Sequence, residues 1–270
     1  MSEYGLSIEQ ACNAAGLSRT AWYRRPASEV RDAAVTSVLN ELMDRWPRWG
    51  FWKCFNWLRT RGHKWNHKRV WRIYCAMKLN LPRRKKRMAL TREKRPLAAL
   101  PIVNQSWSLD FMHDTLYYGK RFRTLNVIDE GMRECLGIEI DTSLPAIRVV
   151  RVLDRISMWR GFPKQLRLDN GPEFISAHLI AWCQLNDVEM IHIQPGKPNQ
   201  NAYIERFNRS FRHEVLNAHL FSSLQQVRNI ALEWMIDYND ERPHDSLNGM
   251  TPSAYREKIT AENSNLEMCA

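Results

Sequence analysis

Apolar and polar residues alternate over three short stretches in the middle of the chain: "SWSLDFM" from Ser106, "RFRTLNVID" from Arg121 and "ECLGIEID" from Glu134, with the turn-forming "YYGK" and "DEGMR" between them. A period of two over five to eight residues marks a strand, and three such runs joined by short turns predict an antiparallel meander. The period then changes. A helical pattern runs from about Leu144 to Trp159, "KQLRLD" (164–169) reads as a fourth strand, and a helix follows around Ile175 to Asn186. "VEMIHI" (188–193) reads as a fifth strand, with another helix from about Asn201 to Asn217.

The first 80 residues show only the helical period. Ile8, Ala11, Cys12 and Ala15 share a helical spacing, Gly16 stops that helix and Ser18 caps a second short one. This outlines a helix-turn-helix, and equally an ordinary two-helix hairpin. Helices are then expected from about Asp32 to Arg45 and Trp52 to Arg61. Asn66 caps a third, whose apolar face is Val70, Ile73, Tyr74 and Met77 and whose start exposes His67, Lys68, Arg69 and Arg72, like a recognition helix. Six of the eleven tryptophans lie between Trp46 and Trp71, most of them expected in a core.

Three strands followed by alternating helix and strand is the order of a ribonuclease-H-like fold. The expected fold class is therefore α/β: a mixed five-stranded sheet with flanking helices, preceded by an all-α helix-turn-helix-type DNA-binding region. The expected division is residues 1–30 for the helix-turn-helix-like segment, 31–81 for the helical DNA-binding region, 82–102 for a basic linker, 103–256 for the catalytic domain and 257–270 for a tail.

Charge sharpens this division. Residues 1–100 hold 22 Lys and Arg against 7 Asp and Glu, whereas the remainder holds 18 against 22, so the front carries +15 and the rest −4 of the net +11. Such asymmetry suits a polyanion-binding front on a nearly neutral globular body. The linker "PRRKKRMALTREKRP" includes Arg83, Arg84, Lys85, Lys86 and Arg87, which can track phosphates. The six cysteines form no Cys-x-x-Cys pair, which argues against zinc sites and disulfides. No leader-like or membrane-length apolar run occurs, so the expected location is cytoplasmic, nucleoid-associated when bound to DNA, with no membrane partner.

Three carboxylates occupy suggestive places. Asp110 falls mid-way along the first strand, Asp169 at the end of the fourth before Asn-Gly-Pro, and Glu205 in the first turns of the helix after the fifth. Taken alone, Asp169 reads as a cap for the helix beginning near Glu173. If the first and fourth strands sit side by side, however, all three converge, and such a cluster needs cations. Oxygen ligands without His or Cys select Mg²⁺, with Mn²⁺ possible in its place, and two such ions suit in-line phosphoryl transfer. Asp114 and Glu173 lie close by in sequence but read as structural, as do His113, His192 and His244.

The motifs "WSLDF" at Asp110, "LDNGPEF" from Asp169 and "PGKPNQNAYIERFNRSFR" around Glu205 leave 35 residues between the second and third carboxylates, and "YNDERPHDSL" and "TPSAY" follow. Together they resemble the DDE transposases of bacterial insertion sequences, closest to insertion-sequence family three and its second-frame product, whose core is similar to retroviral integrases. "RWGFWKCFNWLRTRGHKWNHKRVWRIYCAMKLN" resembles that family's pre-catalytic helical region. The residue before the second aspartate is Leu168 where relatives often have Ser.

The resemblance implies a Mg²⁺-dependent polynucleotidyl transferase with Asp110, Asp169 and Glu205 as catalytic metal ligands, acting in DNA transposition, recombination and integration. It also implies DNA contacts by Arg212, Arg209 and Asn208 on the Glu205 helix, while Asn199 and Gln200 before it either donate to DNA or cap the helix. The implied partners are the terminal inverted repeats of the element, target DNA, further copies of the chain in a multimer and an upstream-frame helix-turn-helix protein. Two rival readings share these features: a non-catalytic DNA-binding regulator or inactive relic, and a metal-dependent nuclease of the same fold.

Overall fold

In the computed structural model, which describes residues 7–23, 27–82, 99–194 and 198–268, the chain forms two compact units: residues 1–55 with 62–83, and residues 84–270 with 56–61. In the first, Ser7 caps α1 (Ile8–Ala14) in a capping box with Gln10, and Gly16 adopts a positive φ of 65° that turns the chain. α2 (Arg19–Tyr23), α3 (Ala27–Arg45) and α4 (Phe51–Thr60) follow, the last shared between the units. α5 (His67–Ala76) starts where expected, Asn66 accepting from the Lys68 backbone N–H.

Val35, Leu39, Leu42, Trp49, Cys54, Val70, Ile73 and Tyr74 make this unit's core. Two expectations shift. Of the clustered tryptophans Trp49 is buried, but Trp52 and Trp71 are exposed. Arg69 and Arg72, expected to face DNA, pair with Asp32 of α3 at 2.9 Å and 2.6 Å. His67 and Lys68 stand exposed, and Arg83 to Arg87 lie outside the described residues.

The second unit is built around β1 (Ser106–Thr115), the central strand. It pairs antiparallel with β2 (Arg121–Asp129), which pairs antiparallel with β3 (Cys135–Asp141). After α6 (Ala146–Arg160) the chain crosses to β4 (Gln165–Leu168), parallel to β1. α7 (Ala177–Leu185) then leads to β5 (Glu189–His192), parallel to β4, giving the order β3-β2-β1-β4-β5. This is the ribonuclease-H-like mixed sheet.

Both faces are covered. Trp107, Leu109, Leu125, Val127, Leu166 and Leu168 pack with Val149, Leu153 and Ile156 of α6 and Leu179 and Trp182 of α7. On the other face Met112, Phe122, Ile128 and Ile140 meet α8 (Ala202–Phe211) and α9 (Leu224–Ile236) through Ile204, Phe207, Phe211, Val227 and Ala231. Cover on both faces leaves β2 buried almost throughout, its polar Thr124, Asn126 and Asp129 included. α9 and α10 (Pro252–Met268) add to the elements anticipated above, and α10 runs as one helix past residue 257.

Phe207 anchors the helix that carries Glu205. Its ring, 1% exposed, meets Tyr238 at 5.0 Å and Trp234 at 5.5 Å. Phe207→Ala should therefore destabilise the chain by about 3–5 kcal/mol, read as a lowered urea midpoint. A loss below about 1 kcal/mol would show that this helix does not depend on that contact.

Candidate active site

Alternation along β1 divides its side chains. Trp107 and Leu109 point to the α6/α7 face, whereas Ser108, Asp110, Met112 and Asp114 point to the α8 face. The parallel register with β4 ends at Ser108 opposite Arg167. Two residues further on, the same register brings Asp169, just past the end of β4, level with Asp110 and on the same face.

A tight turn presents Asp169. Its Oδ1 accepts from the Gly171 backbone N–H at 2.8 Å, and a Cβ on Gly171 would stand only 2.9 Å from that oxygen, so glycine lets the turn fold beneath the carboxylate. Asn170 Nδ2 donates to the Ile193 carbonyl at 3.2 Å, tying the turn to the end of β5. Asp169 is no helix cap: Ser176 caps α7, accepting from the Leu179 N–H. That corrects the capping alternative, because the helix starts later than "GPEF" suggested.

Glu205 rides exposed on the first turn of α8, above the buried stripe Ile204, Phe207 and Phe211. One turn later Asn208, 8% exposed, donates from Nδ2 to Asp110 Oδ2 at 2.6 Å and accepts at its own Oδ1 from Asn126 Nδ2 at 2.6 Å. Asn208 was expected at DNA; instead it is spent on orienting Asp110. Asp110 Oδ1 accepts from the Phe111 N–H at 2.8 Å.

Burial pushes the Asp110 carboxyl up to about 6; the charges of Asp169 and Glu205 add to the rise, and the hydrogen bonds from Phe111 and Asn208 oppose it. The three carboxylates thus share one field. Among the described residues no three His, Cys, Asp or Glu side chains are gathered tightly enough to chelate an ion. Asp110 is turned to Asn208 and Asp169 to Gly171, an open arrangement expected of like charges.

The remaining expected site residues divide. Arg212 pairs with Asp114 at 2.5 Å and donates to the His113 carbonyl at 2.7 Å, while Arg209 is exposed. Gln200 accepts from the Gln194 N–H at 2.9 Å, so it braces the approach to α8; the Asn199 side chain lies outside the described residues. Glu173 is held by Arg123, which lowers its carboxyl below the usual range, and Arg123 also lies 4.2 Å over the Phe111 ring. His244, expected to be structural, packs edge-on against Tyr238, over which Arg242 lies, with Arg242 in an almost buried ion pair with Glu214. Sequence reading missed Asn126 and Arg123; a polar Asn126 inside the apolar run "LNVI" was the available signal.

Comparison with known proteins bears on this arrangement. Two integrase core domain models match residues 101–198 and 186–252, and an HTH-like domain model matches residues 29–87. The "insertion element IS476 uncharacterized 39.2 kDa protein" of Xanthomonas euvesicatoria is 38% identical over 260 residues, 96% of this chain and 75% of that one. The "insertion element IS407 uncharacterized 31.7 kDa protein" of Burkholderia multivorans is 38% identical over 256 residues, covering 95% and 92%. The chain belongs to the DDE transposases of insertion-sequence family three.

Among solved structures, the transposase is similar to the HTLV-2 integrase catalytic core domain in complex with magnesium, with a TM-score of 0.48 at 17% identity, over 58% of this chain and 99% of that one. Among its described residues, no helix is long and apolar enough to cross a membrane.

Two outcomes follow from this geometry. Gly171→Ala should push the Asp169 carboxylate out of its turn and destabilise the chain by about 0.5–3 kcal/mol, read as a lowered urea midpoint; an unchanged midpoint would refute the role given to this turn. Because the folded Asp110 carboxyl is raised from 3.8 to about 6, it favours the folded state at low pH and that contribution is lost as pH climbs from about 4 to about 6. Without divalent ions, Asp110→Asn should therefore match the parent in melting temperature near pH 4 and exceed it near pH 7. No gain at the higher pH would show that Asp110 is not held in a repulsive field.

Proposed function

We propose that this transposase cleaves and joins DNA strands at the ends of its insertion sequence, with Asp110, Asp169 and Glu205 as ligands of two Mg²⁺ ions, or Mn²⁺ in their place. The observation that carries the reading is the parallel register of β1 and β4, which brings Asp110 and Asp169 level on the face that α8 and Glu205 cover; burial first, and then the charges of Asp169 and Glu205, push the Asp110 carboxyl up. The donor set fits the ions: three carboxylates from three separate segments, with no His or Cys among them, offer hard oxygens and a net charge that wants neutralising. When bound, the ions supply Lewis acidity to the attacked phosphodiester and activation of the attacking oxygen.

The chain's own residues do the positioning. Asn208 holds Asp110 by one oxygen and is itself held by Asn126, so the carboxylate keeps one orientation through the reaction. The Gly171 N–H fixes Asp169. α8 places Glu205 beside them on a helix locked by its aromatic stripe. Above pH 6 Asp110 gives up its proton, which readies it as a ligand. Water attack at the element end frees a 3′-hydroxyl, and that hydroxyl attacks a second phosphodiester to join the strands. No covalent link to the protein is needed.

The basic helical unit binds the terminal inverted repeats, exposed Arg209 lies near the DNA held at the site, and paired ends call for a multimer. Arg212 reaches a phosphate only by leaving Asp114. The work is done in the cytoplasm, on the nucleoid.

Glu205→Gln tests the reading. Labelled duplexes of the element's ends, incubated with the parent and Mg²⁺, should yield cleaved and joined strands; the variant should bind the same duplexes with strand chemistry reduced at least about 100-fold. Binding without chemistry in either protein would favour a regulator, and cleavage without joining would favour a nuclease.

A further inference from the structure

The first unit carries an aromatic groove for which the strand chemistry has no use. Phe51, Trp52, His67, Lys68 and Trp71 enclose about 340 Å³, near the lower end of the roughly 300–1,000 Å³ of small-ligand sites. Phe51 is its buried floor, 8% exposed, whereas Trp52 and Trp71 stand 59% and 45% exposed. Their rings lie 5.1 Å and 4.8 Å from that of Phe51, at 65° and 76° to it, so they rise from the floor as walls. The His67 ring lies 6.4 Å from Trp52 and inclined to it by 27°, continuing one wall. Both His67 and Lys68 belong to the exposed start of α5.

The charge around this groove selects its occupant. Lys68 stands exposed on its rim, beside His67 at the start of α5. An apolar helix of a protein partner would satisfy the rings but offer the Lys68 ammonium no anion. A paired duplex would satisfy the charge but offers no open ring face, since its bases are stacked inside. An unpaired nucleotide supplies both a planar ring and a phosphate.

We propose that the groove takes one unpaired base of the element's DNA, stacked on the indoles of Trp52 and Trp71, with the adjoining phosphate at Lys68. The inference rests on the reading of this unit as the DNA-binding one and adds a structural preference to it: ends with a frayed or flapped nucleotide are bound in preference to fully paired ends.

The test compares two DNAs of one sequence from the element's end, a fully paired duplex and the same duplex with a short unpaired flap, titrated into the full-length protein with binding read by anisotropy. The flapped DNA should bind about 5- to 150-fold more tightly, the worth of stacking one base. Trp52→Ala should erase the difference while leaving duplex affinity unchanged, Trp52→Phe should keep much of it, and an abasic flap should bind the parent like the duplex. Equal affinity of the parent for both DNAs, or a preference that survives Trp52→Ala, would overturn the groove assignment while the DNA-binding reading stood. Failure to bind either DNA would overturn both, and a monomer where the parent self-associates in the Trp52→Ala variant would assign the groove to a second copy instead.

Discussion

Ser106 to Ser108 of β1 run parallel to Gln165 to Arg167 of β4, and on this short pairing the placement of the site depends. Residues 59 apart in sequence come level because the register fixes them so, and because side chains alternate, Asp110 and Asp169 emerge on one face. A slip of one residue would send one carboxylate into the α6/α7 core and the other toward α8. The register is guarded by Trp107, Leu109, Leu166 and Leu168, all fully buried on the opposite face, whose displacement would expose large apolar surface.

Given that placement, the site's electrostatics follow from what surrounds it. Burial and two neighbouring carboxylates act against the charged form of Asp110, while two hydrogen bonds support it. The amide chain from Asn126 through Asn208 to Asp110 therefore does more than fill space: it joins the sheet to α8 through polar groups that must all be satisfied together. Further along the same helix Arg212 meets Asp114, again joining α8 to β1. The helix that carries the third carboxylate is thus aligned by two polar contacts on one side and by the Phe207 and Phe211 rings on another.

Much of this was legible from periodicity. The bounds of β2 and β3, the Asn66 cap and the succession of strands and helices follow from patterns of two and about 3.6 residues, which burial imposes directly. The three carboxylates stood mid-strand, at a strand end and in the first turn of a helix, places that pattern alone could find. α9 was also within reach, since Leu224, Val227, Ala231 and Trp234 repeat at helical spacing behind Ser223. Other features were not legible, because they depend on which elements meet. The partners of Asn208 and Arg212 are decided by how α8 lies across β1, and those of Arg69 and Arg72 by α3. Helical spacing likewise did not separate buried Trp49 from exposed Trp52 and Trp71: α4 and the chain before it are aromatic on more than one side.

The ion pair between Glu214 and Arg242 bears on timing. Both groups are nearly or partly buried, and each is the other's partner across 28 residues of chain. While the protein is being made, the turn that follows α8 holds a carboxylate without its counter-charge until Arg242 has been synthesised and has folded back. Domains form in the order of synthesis, so the basic first unit is complete while the third carboxylate still rides on an unsecured helix. A chain ending anywhere between these two residues would hold a partly buried carboxylate whose counter-charge had never been made.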